Sequence, residues 1–159
     1  MKNKSCIMLL VIGLVALVCG PTRSTATNES VTVTGAATGT YGSGATLGLV
    51  AVKSLELGTG VFIEPDGTAS GVFSSVLTGK SVLGQSQQIT ITGKVLSGEI
   101  GPDGRVYFNG IATIDLGNGS PSLYGTPFSV STTGNNVSLS IDATTLPTAE
   151  LIQGGITIN

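Results

Sequence analysis

Asp115 and Asp142 fall near the ends of extended segments, and Glu64 stands just ahead of a turn. Two carboxylates at a set separation are what glycosidic hydrolysis needs, one to protonate the leaving oxygen and one to attack or to activate water. Sugar sites usually add aromatic platforms, and this chain has no Trp. Other chemistries are limited by composition. Histidine is absent and the two cysteines are Cys6 and Cys19, both in the N-terminal apolar stretch, so the remainder can assemble no Ser-His-Asp or Cys-His apparatus and no His- or Cys-ligated zinc. Asp66 and Asp103 are conspicuous, but each stands between Pro and Gly, where a hairpin turn favours Asp, and neither loop has the closely spaced oxygen donors of a calcium loop. The segment Asp115-Leu116-Gly117-Asn118-Gly119-Ser120 comes nearest to one. Its glycines lack the Lys-Ser/Thr and following helix of a phosphate cradle. The expectation is no catalytic residue, no cofactor and no metal, with Tyr41, Tyr107 and Tyr124 either lining a binding surface or packing half-buried.

The chain opens with a basic head, Lys2 and Lys4, then an apolar run from Cys6 to Cys19 that is shorter than the ~20 residues of a membrane span. Pro21, Arg23 and a Ser/Thr cluster follow. This reads as a secretory signal peptide over residues 1–26, with Ser24-Thr25-Ala26 giving a small-x-small pattern for cleavage after Ala26. Leu17-Val18-Cys19-Gly20 also resembles the lipidation signal of bacterial lipoproteins, which makes Cys19 the alternative candidate, as a lipid-anchored N-terminus. The residue before the cysteine, Val18, is larger than that pattern favours. Cleavage after Ala26 is the preferred expectation. Export with no cysteine left to form a disulfide fits a bacterial envelope or extracellular protein, periplasmic or beyond.

Net charge is −2 for the whole chain, and residues 27–159 carry Lys53, Lys80, Lys94 and Arg105 against nine carboxylates, a net of −5. No basic patch is available to neutralise phosphates, so nucleic acid is not an expected partner, nor is an anionic lipid surface that recruits polybasic segments. The surface should be mostly Ser, Thr, Asn, Gln and Gly.

The remaining elements are extended. From Val106 to Leu116, apolar and polar residues alternate with Ile111 as the exception, and Pro102-Asp103-Gly104 suits a tight turn before them. A similar turn, Pro65-Asp66-Gly67, predicts a hairpin in which Ile63 faces Ala69 and Val61 faces Gly71. A third hairpin joins Phe128 and Val130 to Val137, Leu139 and Ile141 across Gly134-Asn135-Asn136. Between Gln87 and Leu116 the parity of the two strands conflicts with the turn, which predicts a β-bulge near Ser97-Gly98. Leu47 to Leu55 is an apolar run expected as a central strand buried on both faces. Residues 27–44 are Thr/Gly/Ser-rich and read as a tether or a loosely held first strand. Thr144 to Pro147 reads as a short helical turn, and Leu151 to Ile158 as a last strand broken by Gly154-Gly155.

The fold expectation is a single antiparallel all-β domain over residues 45–159. About nine hairpin-linked strands form a small β-barrel or a β-sandwich, and inward glycines at Gly71, Gly93 and Gly110 tip the choice to the barrel. A membrane-spanning barrel is not expected, since outward positions are Thr, Ser and Gln. Three functions follow, in order: a non-enzymatic structural, adhesive or protein-binding module; a barrel holding a small apolar ligand; and a carboxylate-based hydrolase. Self-association through an edge strand, with residues 27–35 donated to a neighbour, is a further expectation for the partner.

Overall fold

The computed structural model describes residues 29–159. The expected signal peptide, cleavage after Ala26 and alternative lipidation at Cys19 fall outside the described residues. Ten antiparallel strands form one sheet: β1 (Val31–Tyr41), β2 (Thr46–Leu47), β3 (Val50–Ile63), β4 (Thr68–Ser81), β5 (Ser86–Ile100), β6 (Val106–Asp115), β7 (Leu123–Thr132), β8 (Asn136–Ile141), β9 (Thr144–Thr145) and β10 (Ala149–Ile158). Because β1 pairs with β10 on one edge and β3 on the other, the sheet closes on itself. It is a barrel. The short β2 and β9 lie off the ring, flanking β3 and β8.

All three expected hairpins form, and the register expected at the first holds. Ile63 faces Ala69 and Val61 faces Gly71, while Phe128 faces Ile141 and Val130 faces Leu139. Turn chemistry fixes these registers: Glu64 and Gly101 each donate a backbone N–H across the turn, to Thr68 and Arg105 respectively, around a left-handed glycine at φ 86° or 76°. The parity conflict is resolved by a bulge at Leu96, since Val95 faces Gly110 and Ser97 faces Asn109. Leu96 is thereby turned out to water.

Several expectations are corrected. Val31–Tyr41 is neither a tether nor loosely held: Val33 lies between Ile158 and Val61 and is fully buried. Within one chain both edges of Val33–Gly35 are occupied, by β10 and by β3. The apolar run Leu47–Leu55 is not one doubly buried strand. A two-residue turn at Gly48-Leu49, with Gly48 at φ 58°, ends β2 and starts β3, and beyond it Ala51 and Lys53 face water because a barrel wall has one dry side. Thr144–Thr145, at the start of the expected helical turn, forms β9 instead, bridging to Ile141 and Ser140. β10 runs on through Gly154-Gly155, with its irregularity at Ile152. The seam between β8 and β10 is thin, with two residue pairs, Ala149 with Val137 and Glu150 with Asn136. Beyond it, β10 is paired with β1 only.

The interior is filled through the middle by Phe73, Phe108 and Phe128. Phe73 and Phe128 stack at 5.4 Å with planes 18° apart, and Phe108 lies tilted at 5.9 Å from Phe73. Gly93 is inward because Phe128 lies against it, a Cβ there standing 2.5 Å from its Cε1, and at Gly110 a Cβ would run into the Lys94 carbonyl oxygen before meeting the same ring at 2.7 Å. Gly71 answers a different need, sitting at a bulge with φ 138° against the backbone of Gly60. Gly93→Ala should therefore destabilise the barrel by about 1–3 kcal/mol through overpacking. Gly60→Ala, whose Cβ would meet nothing within 4 Å, should stay within ~0.5 kcal/mol of wild type. Urea unfolding of the two variants checks the contrast.

Candidate functional site

The two ends of the barrel differ in chemistry. At one end lie the Pro65-Asp66-Gly67 and Pro102-Asp103-Gly104 turns and the β7–β8 turn. A depression of about 230 Å³ there is edged by Glu29, Glu64, Asp66 and Glu99. The Asp side chains cap their own turns: Asp66 Oδ1 accepts from the Thr68 N–H at 2.9 Å and hydroxyl at 2.7 Å, and Asp103 Oδ1 accepts from the Arg105 N–H at 3.1 Å. These are local turn bonds.

The opposite end is a cup. A cavity of about 930 Å³ opens there. Its lining includes Val50, Ile114 and Ile141, which are buried core residues, together with Leu116, Thr126 and Pro127. Around it stand the β2–β3 turn, the β4–β5 turn, the loop after β6 and the start of β7. The side chains at these loops are apolar and stand in water: Leu49 is 74% exposed, Val82 72%, Leu83 81% and Tyr124 79%. Tyr124 is thrown outward because Thr113 on β6 is opposed by two residues, Tyr124 and Gly125, with Gly125 left-handed at φ 68°. Ser81 also lines the cup, and its Oγ is buried with no hydrogen-bond partner among the described residues.

The β4–β5 turn repeats the backbone of the two Pro-Asp-Gly turns with different side chains. Ser81 N–H donates to Gln85 O at 2.9 Å and Gly84 N–H to Ser81 O at 2.8 Å, around Gly84 at φ 77°. The same bonds close the turns at Glu64–Thr68 and Gly101–Arg105. Where those turns carry Pro-Asp, this one carries Val82-Leu83. Neither residue favours a turn. The rim was hidden in the sequence because Leu49, Val82, Leu83 and Leu123 are core residues by type, and the available signal was two apolar residues in a position that the chain elsewhere fills with Pro-Asp.

The candidate acids are not gathered at one site. Asp142 lines the cup, in a left-handed conformation at φ 51°. Asp115 alternates outward at the end of β6, and its Oδ1 accepts from the Gly117 N–H at 2.8 Å. Glu64 is at the far end of the barrel. In the loop 115–120, Asn118 Oδ1 also turns to its own backbone, accepting from Ser120 N–H at 3.0 Å. Among the described residues no group of three or more acids is arranged to hold a metal. The tyrosines divide: Tyr124 edges the cup, Tyr107 is half-buried, and Tyr41 is buried with its phenol pushed up by desolvation. The chain matches no known family, no curated protein and no solved structure.

One titration follows from the turn bonds. The hydroxyl and then the N–H of Thr68 hold the Asp66 carboxyl below the usual carboxylate value. A depressed folded-state pKa stabilises above the unfolded value, and that contribution is lost as pH falls through the folded one. In Thr68→Val the Asp66 pKa should move back up towards the ordinary value, read by carbon-detected NMR of the carboxyl.

Proposed function

We propose that this chain is an exported, non-enzymatic binding protein that holds a small, mainly apolar ligand in the open end of its barrel. The observation that carries the reading is the cup: about 930 Å³ of space bounded by Val50, Ile114, Leu116, Pro127 and Ile141. That is well above the ~300 Å³ at which ligand pockets begin. Burial of an apolar molecule there is favoured by roughly 25 cal/mol for each Å² it withdraws from water. The Ser81 hydroxyl inside and Asp142 and Asn118 around the opening offer hydrogen bonds to a polar atom of the ligand, which would set its orientation.

A surface module is the second reading, and the exposed leucines of the rim favour it. For hydrolysis by paired acids, Glu64 stands at the opposite end from Asp142, and Asp115, at the same end as Asp142, alternates outward and caps the Gly117 N–H. The export expectation still stands on the apolar leader alone. Titration with a neutral naphthylamine fluorophore that brightens in apolar surroundings tests the ligand reading. Saturable binding is expected, and Thr126→Trp, which places a large side chain in the cup, should weaken it at least tenfold while leaving the far-ultraviolet circular dichroism unchanged. A wild-type titration that never saturates, or a Thr126→Trp variant that binds as well as wild type, would sink the reading.

A further inference from the structure

We propose that the rim of the cup docks on a lipid surface of low net charge, with the tips of the β2–β3 and β4–β5 turns inserted among the lipids. The inference does not rest on the cup holding a ligand, because the same rim would dock above a sealed interior.

The geometry comes first. Leu49, Val82 and Leu83 sit at the extreme ends of two hairpins, with Leu123 and Tyr124 beside the same opening. Residues at hairpin tips project beyond the barrel wall, so they meet a plane laid across the mouth before any strand does. The turn comparison then removes a structural reason for them. Three turns share one backbone pattern, and the two at the far end use Pro-Asp, which suits it. Only the turn at the mouth holds Val82 and Leu83, which leave large apolar surfaces in water and contribute nothing to the turn.

Charge selects among the occupants. The rim carries Asp142, and Lys80 flanks the β4–β5 turn, so there is neither a basic cluster for anionic lipid nor a single-sign patch for a charged protein. The far end is acidic, with Glu29, Glu64, Asp66 and Glu99, and it would face water. A second copy placed mouth to mouth would touch mainly at the tips and enclose two cavities of about 930 Å³ each. Fluid lipid, by contrast, can fill the space between the tips. Insertion of apolar side chains into an interface gives affinity in proportion to the area buried, without requiring basic residues.

The chain supplies its own control variant. Val82→Pro with Leu83→Asp writes the far-end turn sequence into the same backbone geometry, so the fold should be kept. Flotation with phosphatidylcholine vesicles should carry the wild-type protein upward and show at least a tenfold lower partition coefficient for the double variant, which shares the wild-type N-terminus. Thr126→Trp, which fills the cup and leaves both turn tips as they are, should float as wild type does while losing the fluorophore, so failure of docking and failure of ligand binding are read separately. Wild type that stays in the aqueous fraction, or a double variant that floats equally well, would overturn the proposal. So would a wild-type dimer in light scattering that the double variant abolishes while vesicle binding is unchanged.

Discussion

The Phe128 ring lying against Gly93 and Gly110 is the contact around which the interior is arranged. A closed ring of eight strands encloses more volume than aliphatic side chains of one layer fill easily, and close packing of that volume is what stability requires. Phe73 and Phe108 extend the stack from Phe128 across the barrel. Two missing side chains make this possible. A methyl group at Gly93 would occupy the place of the ring, and one at Gly110 would meet both the Lys94 carbonyl oxygen and the ring, so the stack would lose its seat. Beyond this aromatic plug the cup opens at one end, where Ile114 and Pro127 line it.

Division of labour along the barrel axis follows from that plug. Below it, strand ends are joined by turns whose acids satisfy their own backbone, and the surface is polar and anionic. Above it, loops carry leucine, valine and tyrosine into water around a hollow. Polar outward residues such as Thr32, Thr34, Thr90 and Thr92 separate the two ends. The molecule thus has one apolar pole, and its position owes nothing to the hairpin registers, which are set by turn chemistry and by alternation.

Much of this architecture was legible in the residues. Period-two alternation and the Pro-Asp-Gly turns located the hairpins to the residue, and parity alone required an extra residue close to Leu96. Ring closure was less legible, because β1 has small inward residues, Gly35, Ala37 and Gly39, and its apolar signal is weak. Those small residues let β10 and β3 come close on either side, with Gly35 against the backbone of Gly155 and Ile156. The run from Leu47 to Leu55 misled because hydrophobicity was counted without regard to the turn inside it: Gly48 reverses the chain, and Leu49 belongs to the rim. The cup was illegible for a related reason, since a leucine at a turn tip and a leucine in a core are the same letter.

The narrow join between β8 and β10 bears on how such a ring can form. β3 through β8 are consecutive neighbours that can zip one after another as local hairpins, whereas β10 must find both β1, from the other end of the chain, and the short β8. Pairings between segments so distant in sequence carry the largest loop-closure entropy and form slowly. By that measure the join of β10 to β1 is the costliest in loop entropy, whereas the two β8–β10 pairs, Ala149 with Val137 and Glu150 with Asn136, are local in sequence and add little to the cost of closing the ring.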